Sequence, residues 1–287
     1  MFCWSRRHTA LESGFEVIFV KLAAIQMASG PQVAANLQEA GRLIGKAAQA
    51  GARLVVLPEN FAIMAMRDED RLAIAEPEGA GPIQEFLSAT ARQYGIWIVG
   101  GTIPIRAKDT TRVRAACLLF DDRGERVARY DKIHLFDVTL DNGEEYRESR
   151  AIEPGDTPVV VDTPFGRLGL TVCYDLRFPE LYRRLCDQGV EIIAVPSAFT
   201  VRTGRAHWEV LMRARAIENL SYVIASAQGG YHANGRETYG DSMIVSPWGE
   251  VLDRLARGSG VVLADMDRRF LETTRTQFPS LQHRKIS

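Results

Sequence analysis

The chain has 287 residues, 46% hydrophobic and 25% charged, enough to bury a sizeable core as one large domain or two small ones. With 35 Lys and Arg against 36 Asp and Glu, the formal net charge is -1, so nothing in the charge balance calls for nucleic acid or an anionic membrane as partner. Cys3, Cys117, Cys173 and Cys186 lie far apart with no C-x-x-C, which argues against a disulfide framework or a zinc-ligand pattern and fits a reducing cytoplasm, and no apolar run approaches the ~20 residues of a membrane span.

Residues 1–19 hold Arg6, Arg7 and His8 but neither an apolar core nor a small-residue cleavage site. They read as a loose extension rather than a signal peptide, ahead of a single domain over 20–287. Val20 to Met27 reads as the first strand. Leu37, Ala40, Leu43, Ile44 and Ala47 recur at a helical period over Asn36 to Ala50, and Gly51 ends that helix. Arg53 to Leu57 is a short apolar strand stopped by Pro58, with Glu59 next. Pro82 to Tyr94 reads as a helix opened by proline and closed by Gly95, and Ile96 to Ile103 as one apolar strand. Strand, helix, strand, helix, strand predicts right-handed crossovers and a parallel start to a sheet.

Val113 to Phe120 and Arg126 to Tyr130 read as a hairpin around Asp121-Asp122-Arg123-Gly124. Asp137 to Glu153 is polar, lacks a period and reads as a long loop, a feature often tied to function. Strands return at Val159 to Asp162 and Gly166 to Val172. A helix follows over Pro179 to Gln188, then a strand over Glu191 to Pro196 and a helix over Ala206 to Asn219. Tyr222 to Ala227, Gly240 to Val245, Val251 to Leu255 and Gly260 to Asp265 are strands, and Arg268 to Thr276 is the last helix. The fold class is α/β, one domain, with more strands than a single sheet accommodates comfortably.

Cys173 sits at the join between a buried strand and a helical turn, in Gly169-Leu170-Thr171-Val172-Cys173-Tyr174-Asp175-Leu176-Arg177-Phe178-Pro179-Glu180. A nucleophile held there has free N–H donors beside it, which favour a thiolate and a developing oxyanion. Taken alone, the stretch reads equally as a buried cysteine used as a small apolar residue. Glu59 after Leu57-Pro58 and Lys132 in Asp131-Lys132-Ile133-His134-Leu135 also follow strand ends, where side chains project into a common crevice in α/β folds. A partly buried carboxylate there suits a general base, and a lysine beside a thiol stabilises thiolate and oxyanion. Each alone reads more simply as a surface charge, and spacing does not establish that they converge.

These three stretches, in this order, resemble the nitrilase, or carbon–nitrogen hydrolase, superfamily from about Lys21 to the end. The resemblance implies a four-layer αββα sandwich and a Glu-Lys-Cys site, with Glu59, Lys132 and Cys173 at the matching positions. It implies a second glutamate, matched by Glu148 ahead of Pro154-Gly155, with Glu144 and Glu145 close by. Pro196-Ser197-Ala198-Phe199-Thr200, Ala206-His207-Trp208-Glu209, Ser246-Pro247-Trp248-Gly249 and Gln282-His283-Arg284 are similar to the Nit-type amidase branch, which includes the deaminated glutathione amidases. That likeness implies hydrolysis of a small amide carrying carboxylates, deaminated glutathione above all, in metabolite repair. It also implies a thioester on Cys173, the Tyr174 backbone N–H as an oxyanion donor, no metal or organic cofactor, and a homodimer or larger homo-oligomer. The alternatives are an omega-amidase acting on 2-oxoglutaramate-type substrates, an N-carbamoyl hydrolase, and a catalytically silent interaction protein of the same fold.

Arg177 is a candidate for a substrate carboxylate, against the more usual reading that it pairs with Asp175. Phe199 and Thr200 are candidate pocket residues, with loop packing as the alternative. Arg202 and Arg205 are either carboxylate partners or simply solvated. His134 and His207 read as structural, and Cys117 and Cys186 as core. Gly41 to Lys46 falls one residue short of a phosphate loop and lacks its Ser or Thr.

Overall fold

The computed structural model describes residues 19–140 and 143–286. The N-terminal extension expected over 1–19 lies outside the described residues, apart from Phe19, which opens the first strand. The first half runs β1 (Phe19–Gln26), α1 (Val33–Gln49), β2 (Leu54–Val56), α2 (Asp68–Ala73), α3 (Pro82–Tyr94), β3 (Trp97–Val99), β4 (Ile103–Arg106), β5 (Val113–Phe120) and β6 (Arg126–Asp131). A rim of β7 (Asp137–Thr139), β8 (Glu145–Arg147) and a 3-10 turn over Glu148–Arg150 follows. The second half runs β9 (Val159–Thr163), β10 (Gly166–Leu170), a 3-10 turn over Cys173–Arg177, α4 (Pro179–Asp187), β11 (Ile192–Ser197), α5 (Val201–Asn219) and β12 (Tyr222–Ala227). It closes with β13 (Gly229–Tyr231), β14 (Glu237–Tyr239), β15 (Ser242–Val245), β16 (Val251–Leu255), β17 (Gly260–Asp267) and α6 (Arg268–Gln277).

Two sheets form. The first has the order β17-β1-β2-β3-β5-β4, with β6 also on β5, and the second β16-β15-β12-β11-β10-β9. The expected parallel start is present, as β1, β2 and β3 pair in parallel. β10, β11 and β12 repeat the pattern in the second sheet. Alternation along the strands builds the layers. In β1, Leu22 and Ala24 join the core between the sheets, while Ala23 and Ile25 face α1 and α3; Leu54 and Val56 against Val55 do the same in β2. Helices α4 and α5 cover the outer face of the second sheet with Leu181, Tyr182, Leu185, Trp208, Met212 and Ala216. The result is the αββα sandwich.

Helix α2 and the β13–β14 hairpin have no counterpart in the expected elements, and three expected elements differ in extent or form. The strand read over Ile96 to Ile103 is two strands, β3 and β4, because Gly100-Gly101 breaks it and Gly101 takes φ +55°. The stretch from Asp137 to Glu153 is not structureless: Asp137, Val138 and Thr139 pair with Arg147, Tyr146 and Glu145. A short ribbon that buries little has no apolar period to betray it. Helix α5 begins at Val201, not Ala206. Thr200 caps it by accepting from the Thr203 N–H, and Gly204 lies inside the helix against Tyr239 rather than ending a loop.

Glycines bring two strand-end segments close. A Cβ on Gly101 would lie 2.1 Å from the Pro58 carbonyl oxygen, and one on Gly155 2.2 Å from that of Asp131. Pro58 and Asp131 are the residues just before Glu59 and Lys132. Gly101→Ala is therefore expected to destabilise the fold by about 2 kcal/mol or more, combining left-handed backbone strain with a forced shift of Pro58. Urea unfolding measures this, and a wild-type midpoint would mean that the Pro58 segment yields freely.

Candidate active site

The C-terminal ends of β2, β6, β10 and β11 deliver Glu59, Lys132, Cys173 and Ala198 to one cavity of about 340 Å³. That volume is at the lower end for a small-molecule site. Glu59, Lys132 and Cys173 are nearly sealed, at 4%, 2% and 9% exposure, while Glu148 is half-buried at the wall. The Lys132 ammonium donates to Glu59 Oε1 at 2.8 Å and to Glu148 Oε1 and Oε2 at 2.8 and 2.9 Å. All three of its N–H donors are thereby engaged by carboxylates. Glu148 also accepts from the Phe136 backbone N–H at 2.7 Å, which ties the rim to the cluster.

The electrostatics follow from this packing. Burial opposes the charge on Lys132, but Glu148 and Glu59 more than offset it, so the ammonium is held well above the usual lysine range. Burial and then the charge of Glu59 push the Cys173 thiol well above its ordinary value, while Lys132 and the Ala198 backbone amide pull weakly the other way. The resting Cys173 side chain is therefore a neutral thiol. The thiolate-favouring turn expected from the sequence is outweighed by desolvation and by the charge of Glu59.

The turn that carries the nucleophile is strained and gripped. Cys173 has φ +50° and Asn60, beside Glu59, φ +57°, both in the left-handed region that side chains disfavour. Fully buried Asp175 holds the turn together. Its carboxylate accepts from the Val172 N–H at 2.8 Å, the Tyr130 hydroxyl at 2.6 Å and the His134 N–H at 3.1 Å, and it meets His134 Nδ1 at 2.7 Å. Since Tyr130 and His134 flank Lys132, Asp175 couples the lysine segment to the cysteine turn. From α5, buried Arg215 donates Nε and Nη2 to the Leu176 carbonyl. Gln228 donates to the Glu59 carbonyl at 3.0 Å and fastens β12 to the glutamate segment.

Glu59, Lys132, Glu148, Cys173, Tyr174, Arg177, Phe199 and Thr200, all singled out from the sequence, line this one cavity. Arg202 and Arg205 do not line it. Arg177 does not pair with Asp175, as the more usual reading had it, because Tyr130 and His134 occupy that carboxylate. Its guanidinium instead meets His207 Nδ1 at 3.1 Å and lies over the Phe199 and Tyr174 rings. His134 and His207 are thus structural supports. Cys117 is core, but Cys186 is only half-buried on α4. Sequence reasoning missed Asp175 as a hub, Gln228, and the cavity residues Tyr146 and Arg236. The Asn234-Gly235 pair, a hairpin signal, could have located β13 and β14 and hence Arg236. Among the described residues no group of three or more His, Cys, Asp and Glu side chains is arranged to hold a metal ion, and no helix is long and apolar enough to cross a membrane.

Residues 21–276 match the family described as Carbon-nitrogen hydrolase. The chain is 43% identical over 267 residues to the deaminated glutathione amidase of Yersinia enterocolitica, spanning 92% of this chain and 93% of the relative. It is 41% identical over 270 residues to the deaminated glutathione amidase of Homo sapiens, spanning 92% of this chain and 82% of the relative. The crystal structure of Saccharomyces cerevisiae Nit3, a member of branch 10 of the nitrilase superfamily, matches with a TM-score of 0.85 and 30% identity over 96% of this chain and all of that one.

Because the charge of Glu59 helps hold the Cys173 proton in place, Glu59→Gln should make the thiol more acidic. Iodoacetamide is then expected to label Cys173 in the variant about tenfold faster at pH 7 than in the wild type. In the wild type the rate should climb with pH as the deprotonated fraction grows. Labelling of the variant no faster than wild type would show that the sulfur does not feel the Glu59 charge.

Proposed function

The chain belongs to the carbon–nitrogen hydrolase family, and from that premise we propose that it hydrolyses deaminated glutathione to 2-oxoglutarate and cysteinylglycine, a metabolite-repair reaction. It is an amidase acting on a small amide. The observation that carries the proposal is the buried Glu59–Lys132–Glu148 cluster with the Cys173 thiol in the same cavity. The specific substrate rests on the relatives named deaminated glutathione amidase, at 40–43% identity over most of the chain.

In the proposed mechanism Glu59 accepts the thiol proton and Cys173 Sγ attacks the amide carbonyl carbon, forming a C–S bond and a tetrahedral oxyanion. The transfer moves a proton within the cluster and leaves its total charge unchanged, so it avoids adding a charge to a sealed site. It also releases the lysine. A neutral Glu59 attracts the ammonium less, and one N–H is freed toward the oxyanion, next to the Tyr174 backbone N–H at the start of the 3-10 turn. Protonated Glu59 then gives its proton to the leaving amine as the C–N bond breaks. The carboxylate next takes a proton from water, whose oxygen attacks the thioester carbonyl, and the thiol is restored as 2-oxoglutarate leaves. Glu148 holds Lys132 in place throughout, accepting two hydrogen bonds from its ammonium.

In this reading Arg177, over Phe199 and Tyr174, holds the carboxylate of the 2-oxo acid half, and Phe199 and Thr200 shape that end of the cavity. The cation is polarised by ring faces rather than neutralised by a carboxylate, which leaves its hydrogen-bonding fork for a ligand. The protein acts as one domain over 20–287, assembled at least as a homodimer in the cytoplasm.

Steady-state kinetics on deaminated glutathione and 2-oxoglutaramate test the proposal. Deaminated glutathione should be preferred, and Cys173→Ala should lower turnover by at least about 10⁴-fold with the protein still folded. Preference for 2-oxoglutaramate would make the enzyme an omega-amidase with the same site. Normal turnover by the variant would remove Cys173 as nucleophile.

A further inference from the structure

Five arginines line the cavity: Arg71, Arg147, Arg150, Arg177 and Arg236. They are not equivalent. Arg147 is bound to Glu145 at 2.8 Å. Arg150 is exposed on the 3-10 turn, with no ring beneath it among the described contacts. Arg177 and Arg236 share a different environment. Each guanidinium lies on aromatic rings, and neither has a carboxylate within ion-pair distance among the described residues.

These two arginines mark the ends of one aromatic strip. The Arg177 guanidinium is 5.7 Å from the Tyr174 ring centroid, and Tyr174 follows the nucleophile. Phe136 packs on Tyr174 with centroids 5.1 Å apart, and Tyr146 packs on Phe136, again at 5.1 Å. The Arg236 guanidinium then lies 5.3 Å from the Tyr146 centroid. One cation thus lies over the ring of the residue that follows Cys173, and the other lies two ring steps further on.

The backbone under Arg236 is built to stay in place. The Arg236 N–H donates to Asn234 Oδ1, the His232 N–H donates to the Arg236 carbonyl, and Asn234 Nδ2 donates across the cavity wall to the Ala65 carbonyl. His232 is buried, with Nδ1 at 2.9 Å from the Ser29 carbonyl and Nε2 at 2.7 Å from the Thr238 hydroxyl. A planar guanidinium on a ring, carried by a pinned turn, loses little freedom when an anion docks, unlike the unbraced Arg150.

Resting on the function proposed above, we infer that Arg236 is a specificity-determining residue that binds the terminal carboxylate of the leaving cysteinylglycine. Deaminated glutathione carries a carboxylate at each end, with the scissile amide between them. The far carboxylate lies two residues beyond that bond, at most about 7 Å away when extended. The strip from Tyr174 to Tyr146 takes two steps of 5.1 Å between ring centroids along the wall of the same cavity and ends at a cation with its donors available. A small amide such as 2-oxoglutaramate has no group to place there, so this contact selects the longer substrate.

The test pairs one side chain with one substrate group. Wild type, Arg236→Met and Arg236→Lys are assayed on deaminated glutathione and on its C-terminal carboxamide, with thermal unfolding to show that the variants are folded. Arg236→Met is expected to lower kcat/KM on deaminated glutathione about 10- to 100-fold, chiefly through KM, and to change turnover of the carboxamide less than twofold. Wild type should lose a similar factor on the carboxamide, and Arg236→Lys should recover part of it. Equal losses on both substrates would make Arg236 merely structural and overturn the inference, as would an unchanged kcat/KM on deaminated glutathione. Wild type that turns over 2-oxoglutaramate but neither of the longer amides would overturn the function reading itself, and this inference with it.

Discussion

The structure depends on a buried ammonium. Lys132 is almost fully removed from water, and isolated burial of such a charge costs several kcal/mol. The cost is offset because the ammonium donates three hydrogen bonds to two carboxylates, one for every donor it has. Such a cluster contributes little to stability compared with a well-packed apolar equivalent, so its presence points to chemistry. Its requirements propagate outward. Glu59 and Lys132 come from different strands of the first sheet, and Glu148 comes from the rim. Their meeting needs the close backbone approaches that Gly101 and Gly155 permit.

The cysteine turn answers to the same constraint from the second sheet. A nucleophile at positive φ is costly by itself, and it persists because Asp175 and Arg215 hold the turn from opposite sides. Asp175 also receives Tyr130 and His134, the neighbours of Lys132 in sequence. One buried carboxylate therefore registers the two sheets against each other at the point where sulfur, carboxylate and ammonium must meet. The thiol is left protonated, so attack by the sulfur requires a group that takes its proton, the role proposed for Glu59. A thiol held in this form is less open to adventitious oxidation and alkylation at rest.

Rigidity and selectivity are divided between core and rim. Glu59 and Cys173 follow the inner strands β2 and β10, packed on both faces, while Lys132 follows β6, which pairs only with β5. The groups suited to recognising a substrate stand on the turn after the cysteine and on the two small hairpins, β7–β8 and β13–β14. These are short and half-exposed, and they can vary without disturbing the sandwich. A family that keeps one hydrolytic centre can change substrate by altering such a rim, and here the rim presents guanidinium groups braced on aromatic rings.

The amino-acid order by itself determined the alternation of strands and helices, the parallel start of the first sheet and the strand-end placement of Glu59, Lys132 and Cys173. Apolar periodicity, proline and glycine are local signals that act within a few residues. The order also carried the motif likeness that linked those three with Glu148. It was silent where burial is slight or a turn decides the outcome. The β7–β8 ribbon has no apolar period, the break at Gly100-Gly101 is hidden within an apolar run, and the start of α5 turns on the Thr200 cap. The alternative reading of Arg177 as the partner of Asp175 fails, because nearness in the chain says nothing of Tyr130 and His134 arriving from another segment to claim that carboxylate. The convergence of the cluster, the protonated thiol and the strip leading to Arg236 were decided only in the tertiary structure. They arise from contacts between residues tens of positions apart, and from desolvation, which exists only once both sheets have closed over the site.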